Sequence, residues 1–151
     1  MQNNSAKGYD FLPHTADIMI KSWGESLEEA FAEAGKALFE IITDTSKVNP
    51  SIEINIKVCG YDLENLLYKW LEELLYYHDS QNLVFNMFQI IGIEENITDN
   101  EKQYCLYSKV LGEPFDRNKH ESRTVVKAIT YHQMKIWKEH DLYYLTVVVD
   151  I

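Results

Sequence analysis

Hydrophobic and polar residues follow two different periods along this chain, and each period predicts one kind of element. Apolar residues recur at helical spacing after Ser26, which opens an S-x-x-E capping sequence, and again after Asp62, a residue able to cap a helix. The apolar positions are Leu27, Ala30, Phe31, Ala34 and Leu38 in the first segment and Leu63, Leu66, Leu67, Trp70, Leu71, Leu74 and Leu75 in the second. Both patterns predict amphipathic helices with one face against a core.

The other regular segments have the alternation, or the β-branched and aromatic content, that is typical of strands. They are residues 17–23, 52–58, 83–93, 102–111, 124–137 and 142–151. The order strand, helix, strand, helix and then strands predicts an α+β fold of two layers, in which two amphipathic helices pack on a mixed or antiparallel β-sheet. Between two of the strands, the polar segment 94–103 is expected to be a hairpin loop.

The length of the chain, 151 residues, fits one compact domain. Ten tyrosines, six phenylalanines and three tryptophans supply ample apolar surface for its core. Residues 1–8 are polar and are expected to form a disordered leader, so that the domain spans residues 9–151. No apolar run in the sequence is long enough to cross a bilayer, and no membrane partner is expected.

The net charge and the cysteine content limit the kinds of partner and the cellular compartment that are expected. Twenty-four acidic residues against 14 basic ones give a net charge of −10, which repels free nucleic acid and favours a basic protein or a cation. Cys59 and Cys105 are 46 positions apart without a C-x-x-C sequence, which argues against a zinc knuckle and against a disulfide-built scaffold. A reducing compartment fits, and the N-terminus lacks a secretory signal. The expected location is the cytoplasm, and also the nucleus as an alternative.

Two short segments, one near each end of the chain, contain carboxylates that could together form a metal site. In PHTADI, His14 and Asp17 lie in a turn where a strand begins, and near the other end Asp150 precedes Ile151, which adds a terminal carboxylate if 151 is the natural end of the chain. Carboxylates suit hard cations such as Ca²⁺, Mg²⁺ or Mn²⁺. Spacing alone does not bring Asp17 to Asp150, so two plainer interpretations stay open: a turn whose side chains bond nearby backbone, and a solvated chain end.

A second group of ionisable residues lies in the last third of the chain. Asp116 and His120 are four positions apart, while Lys127 and His132 fall in a predicted strand, on opposite faces. A histidine and aspartate pair can support base catalysis, but no nucleophile motif and no glycine-rich phosphate loop accompanies it. Independent catalysis is therefore disfavoured. Lys127 is expected to be the charge partner of an acidic cluster, or to extend its ammonium to solvent from a strand.

Taken together, four blocks resemble the archease family. They are PHTADI, the helix G-Y-D-x-E-x-L-L-x-x-W-L-x-E-L-L over 60–75, the long block GEPFDRNKHESRTVVKAITYHQM and the terminal VVVDI. The resemblance extends from about Phe11 to Ile151. It implies a protein that is not an enzyme but activates the RtcB-type, GTP-dependent RNA ligase of tRNA splicing, by promoting guanylylation and multiple turnover of that ligase. GTP would be used by the ligase rather than by this chain, and sequence-specific binding of nucleic acid by this chain is not expected.

The resemblance also implies a set of site residues. The family's metal site maps onto Asp17, Asp150 and Ile151, with calcium as the expected occupant and Mg²⁺ or Mn²⁺ as alternatives. Further positions match the conspicuous blocks and are candidates for the surface presented to the ligase: His14, Asp116, His120, Lys127, Thr130 and His132.

Two other functions compete with ligase activation. One is a chaperone-like modulator of RNA-modifying enzymes such as tRNA methyltransferases. The other is a small metal-dependent hydrolase in which Asp17 and Asp150 hold the metal and His14 or His132 acts as the base.

Overall fold

The computed structural model describes residues 6–14 and 16–151. Ten elements follow one another in this part of the chain: β1 (Gly8–His14), β2 (Asp17–Gly24), α1 (Leu27–Ile42), a 3₁₀ helix (Thr45–Lys47), β3 (Ile52–Gly60), α2 (Leu63–Gln81), β4 (Leu83–Thr98), β5 (Glu101–Pro114), β6 (Ala128–Glu139) and β7 (Leu142–Asp150). Of the expected leader, residues 1–5 lie outside the described residues, and β1 begins at Gly8. Within the described ranges, no helix is both long and apolar enough to cross a membrane.

Both predicted helices begin at the predicted caps. The Ser26 hydroxyl accepts the backbone N–H of Glu29 at 3.1 Å, and the Glu29 carboxylate accepts the backbone N–H of Glu25 at 2.8 Å. At α2, the Asp62 carboxylate accepts the backbone N–H of Asn65 at 2.7 Å. These bonds satisfy amide groups that have no partner inside a helix. The sequence therefore located both helix starts correctly.

The α+β class is confirmed, but the strands form two antiparallel sheets rather than one. One sheet has the order β1-β2-β7-β6 and the other has the order β3-β5-β4. Each helix contacts strands of both sheets, and the core between them contains the fully buried Trp70, whose indole N–H donates to the Phe31 carbonyl at 2.9 Å. The two helices thus join the sheets into one hydrophobic core.

The irregular segment 115–127 explains why the strands form two separate sheets. It leaves β5 and crosses to β6, and on the way the backbone N–H groups of Arg123 and Thr124 donate to Ile42 and Ile41 at the end of α1. Amides bonded to helix carbonyls are not available to a strand ladder. The strand expected over 124–137 is consequently corrected to 128–139.

The polar segment 94–103 is also corrected, because most of it is strand. β4 and β5 extend as a two-stranded ribbon to a turn at Asp99 and Asn100, whose φ angles are 53° and 64°. Two consecutive residues of positive φ are typical of the tight turns that join antiparallel strands. The ribbon is polar because both of its faces are exposed, and this composition imitates a loop.

The two cysteines form a disulfide, although their spacing argues against a disulfide-built scaffold and a reducing compartment is expected from the sequence. Cys59 in β3 lies directly opposite Cys105 in β5, with 4.1 Å between their Cα atoms. The pairing of β3 with β5 brings them together, and a separation of 46 residues along the chain gave no sign of it. The bond lies where the three-stranded sheet narrows to the two-stranded ribbon.

Removal of this bond is expected to destabilise the fold without changing it. The replacement Cys59→Ser with Cys105→Ser should lower the free energy of unfolding by about 2–4 kcal/mol, because the unfolded chain regains the freedom of a long loop. Urea denaturation with and without a thiol reductant measures the effect. Equal stability of the oxidised and reduced native protein would contradict it.

Candidate acidic site and its surroundings

The register of β2 and β7 brings the two predicted acidic residues together. Asp17, the first residue of β2, is the Cα partner of Asp150, the last residue of β7. Asp150 is in turn the partner of Ala128 in β6, and the backbone of His14 in β1 pairs with Asp17. The strands of this sheet therefore place Asp17 and Asp150 side by side at one end.

Neighbouring residues fix the face on which these carboxylates lie. Ile18 and Val149, which follow and precede them, pack with the hydrophobic core. Successive side chains of a strand alternate between faces, and directly opposite residues share a face. Asp17 and Asp150 thus lie together on the face away from the core, where Asp17 is partly buried and Asp150 is exposed.

The last residue of the sequence closes this arrangement. The Ile151 backbone N–H donates to the carbonyl of Ala16 at 3.4 Å, and the Asp150 carbonyl accepts the N–H of Lys127 at 2.8 Å. Two like charges directly opposite each other repel, and a cation coordinated by oxygen relieves that repulsion. The donor set fits a hard divalent ion. Among the described residues no group of three His, Cys, Asp or Glu side chains converges, so further ligands would be main-chain oxygens or water.

His120 is not a surface residue, contrary to its expected place on an exposed face. Its side chain is fully buried, its Nδ1 accepts the backbone N–H of Asp116 at 2.8 Å, and its Nε2 lies 2.9 Å from the Glu113 carboxylate. Since Nδ1 accepts, the neutral ring carries its proton on Nε2 and donates to Glu113. The pair of Asp116 and His120 therefore holds the chain after β5 in place.

Glu113 is a residue that the sequence analysis missed. Its carboxylate accepts from the Lys119 ammonium at 2.7 Å and from the backbone N–H of Asn49 at 2.7 Å, as well as from His120. The Lys119 hydrogen bond, followed by the Asn49 bond, lowers the pKa of Glu113 from 4.5 to about 2. In the sequence, Glu113 is only one carboxylate between the predicted strand 102–111 and Pro114, and nothing local indicates its partners.

The remaining candidates occupy different surroundings. Lys127 is exposed and lies just before β6, so its expected place within a strand is wrong. Thr130 donates its hydroxyl to the Val148 carbonyl at 2.8 Å. His132 is exposed in an irregular stretch of β6. Lys127 and Thr130 thus lie near the acidic pair.

His14 belongs to the same end of the sheet through its backbone alone. It pairs with Asp17 across the β1–β2 turn, while the position of its side chain falls outside the described structure. The turn includes Ala16 with a φ of 62°. Its candidate role therefore stays a prediction.

The fold and this acidic pair define a class of small α+β proteins, in which two helices join two antiparallel sheets and two carboxylates meet at the end of one sheet. The model of the Archease protein family (MTH1598/TM1083) matches residues 9–151. The chain belongs to this family. It is 52% identical over 143 residues to the protein archease of Sulfurisphaera tokodaii, over 95% of this chain and 98% of that relative.

Solved structures also resemble it, including the following two. The solution structure of Methanobacterium thermoautotrophicum protein 1598 has a TM-score of 0.78 at 34% identity, and the match covers 95% of this chain and 99% of that one. The crystal structure of a Thermotoga maritima protein, described as an archease and possible chaperone, has a TM-score of 0.56 at 23% identity and covers 93% of this chain and 94% of that one. The second likeness supports the fold alone.

The cluster around Glu113 should make the stability of the protein depend on acid. Because the folded pKa is lowered, the stabilisation is complete above about pH 4.5 and is lost as the pH falls towards 2. The replacement Glu113→Gln should remove about 2 kcal/mol at neutral pH and flatten the free energy of unfolding over this window. Urea denaturation from pH 2 to 7 measures it.

A matched control is Glu53→Gln, because Glu53 forms an ion pair with Lys109 in which both side chains are well exposed. An exposed ion pair of this kind contributes little to the free energy of unfolding. Equal acid profiles for Glu113→Gln and the native protein would refute the assigned role of Glu113.

Proposed function

We propose that this chain activates an RtcB-type, GTP-dependent RNA ligase of tRNA splicing, by promoting guanylylation and multiple turnover of the ligase. Membership of the archease family supports this proposal, and the observation that carries it is the pairing of Asp17 with Asp150 at an accessible sheet end. The ligase uses GTP, and this chain acts by contact. Its net charge of −10 is suited to a partner with a basic surface.

The acidic pair is proposed to hold a divalent cation, with calcium as the favoured ion and Mg²⁺ or Mn²⁺ as alternatives. Asp17 and Asp150 would supply carboxylate oxygens, and Ile151 would supply a further oxygen. Such an ion neutralises the two carboxylates and fixes the end of β7 against the β1–β2 turn. Exposed neighbours, namely Lys127 and His132, are then candidates for contact with the ligase.

The proposed compartment is the cytoplasm, with the nucleus as an alternative. The Cys59–Cys105 disulfide restricts this proposal, because reducing cytoplasm normally keeps cysteines as thiols. Intracellular disulfides are common in hyperthermophilic archaea and bacteria. A cytoplasmic role with the bond intact thus fits a hyperthermophilic cell.

The acidic pair should be required for activation but not for folding. Multiple-turnover joining of tRNA halves by the cognate ligase, with GTP and Mn²⁺, should rise when the native protein is added. Asp17→Ala or Asp150→Ala should abolish the rise and leave the circular dichroism spectrum unchanged. The matched control is Asp10→Ala, which removes an exposed aspartate from β1 in the same sheet.

Three results would count against the proposal in different ways. No stimulation by folded native protein refutes ligase activation. Full stimulation by both alanine variants refutes the role of the acidic pair. Unfolding of the variants shows a structural role instead.

The cation should be visible as a gain in stability. Calcium at about a hundredfold excess over its dissociation constant should stabilise the native protein by about 2.7 kcal/mol relative to chelator, and should raise its melting temperature. Asp150→Asn should lose this calcium response. In chelator, this variant should be as stable as the native protein or more so, because two opposed carboxylates no longer repel.

Calorimetric titration with Ca²⁺, Mg²⁺ and Mn²⁺ separately identifies the preferred ion, and Asp10→Asn is the control. A calcium response that persists in Asp150→Asn would place the ion elsewhere. Absence of any response in the native protein would remove the metal from the proposal.

A chaperone-like role is the second candidate for a member of this family; a Thermotoga maritima protein of the same fold is described as a possible chaperone. It predicts that the protein suppresses aggregation of an RNA-modifying enzyme, such as a tRNA methyltransferase, when no ligase is present. Light scattering of such a client during heating separates this role from ligase activation.

A further inference from the structure

A groove of about 490 Å³ runs between α2 and the start of β6. The α2 side contributes residues at positions 68, 72, 75, 76 and 79, a spacing that places them along one side of a helix. The other side is Lys127–Ile129, the segment that leads into β6. Neither Asp17 nor Asp150 is among the residues that line the groove.

The floor of the groove is apolar and its rim is acidic. Leu75 and Ile129 are 6% and 4% exposed and belong to the hydrophobic core. Glu72, Tyr76 and Asp79 are exposed above them. A side chain that enters between α2 and β6 therefore meets apolar surface below and carboxylates at the opening.

A stacked pair of tyrosine rings holds Tyr68, which lines the groove, in a fixed orientation. Tyr68 stacks on Tyr131 of β6 with 4.3 Å between ring centroids and 7° between ring planes, and Asn65 donates to the Tyr131 hydroxyl at 2.7 Å. A hydrogen bond with Glu72 raises the pKa of the Tyr68 hydroxyl, which stays protonated and orients that carboxylate. The groove is thus formed before any partner binds.

The chemistry of the walls selects a cationic side chain with a long apolar stem. The charged residues that line the groove are two carboxylates, Glu72 and Asp79, and one ammonium, Lys127. An arginine would lay its stem on the apolar floor, stack its planar guanidinium on an aromatic ring such as Tyr76 and pair with a carboxylate in a fork. A lysine lacks the planar group, and an anionic ligand would be repelled.

The groove also adjoins the acidic site along the chain. Lys127 lines the groove and donates its backbone N–H to Asp150, while the neighbouring Ala128 is the register partner of Asp150. A segment bound beside β6 therefore lies next to the end of β7. One partner can occupy the groove and reach the acidic pair together.

We propose that this groove docks an arginine-bearing segment of the ligase and thereby positions the ligase against the Asp17–Asp150 site. The inference rests on the proposed function for the identity of the partner. It adds a second contact surface, made of α2 and β6, which sets affinity and orientation.

The test compares two double variants that remove the same charge. Glu72→Gln with Asp79→Asn neutralises the groove, and Glu94→Gln with Asp99→Asn neutralises two exposed carboxylates of the β4–β5 ribbon. Surface plasmon resonance against immobilised ligase should show an association rate constant about tenfold lower for the groove variant at low salt, with a smaller difference at high salt. The ribbon variant should bind like the native protein.

Two further measurements distinguish specific binding in the groove from a general effect of the net charge. Tyr76→Ala, a change at a side chain that is 53% exposed, should raise the dissociation rate constant without lowering the melting temperature. A short peptide with two arginines separated by leucine should compete with the ligase, while the same peptide with citrulline in place of arginine should not. Citrulline retains the shape and loses the charge.

The outcomes distinguish this inference from the proposed function on which it rests. If the native protein binds and stimulates the ligase and the groove variants match it, the groove is refuted and ligase activation stands. Equal weakening by the groove and ribbon variants also refutes the groove, because net charge then explains binding. Failure of the native protein to bind or stimulate overturns both proposals.

Discussion

The insertion of β7 between β2 and β6 fixes the register of the four-stranded sheet and the place of every residue along it. The last strand of the sequence pairs with one of the first, and its buried valines, Val147 and Val149, lie opposite Ile20 and Ile18 of β2. A shift of one residue would turn these valines away from the core and would move Asp150 from its place beside Asp17. Burial of the valines therefore sets the geometry of the acidic pair.

A second set of interactions holds the long irregular segment that connects the two sheets. Glu113 and the buried His120 secure its beginning, and the Arg123 guanidinium, 2.9 Å from the Glu40 carboxylate, secures its passage over the end of α1. Such a segment has no ladder of its own, so each buried polar group needs a specific partner. These partners direct the chain to the edge of the first sheet, where Lys127 reaches the Asp150 carbonyl.

The acidic pair and the groove differ in what stabilises them. At the pair, hydrophobic burial elsewhere in β2 and β7 opposes the repulsion of two carboxylates, so the fold itself holds Asp17 and Asp150 side by side. At the groove, stacked rings and a buried floor preform a concave surface, while exposed carboxylates give it a charge preference. Both features lie around the end of β7 and the start of β6.

Elements with local signals could be predicted from the amino-acid sequence. The caps at Ser26 and Asp62, the apolar stripes of both helices and the alternation of β3 predicted these elements, because propensity and amphipathic period act over a few residues. The family resemblance also singled out Asp17 and Asp150. In contrast, the polar β4–β5 ribbon imitated a loop, and the segment before β6 imitated a strand, since neither pattern reveals which hydrogen-bond partners the backbone will find.

Contacts between distant parts of the chain could not be predicted in this way, because they depend on how the strands pair and pack. Residues 17 and 150 meet because β7 inserts beside β2, Cys59 and Cys105 bond because β3 pairs with β5, and His120 is buried because Glu113 and the Asp116 amide enclose it. Each of these contacts joins groups through strand register or through the packing of an irregular segment. Spacing along the chain carries no information about such contacts, because the free energy that fixes them comes from burial summed over the whole core.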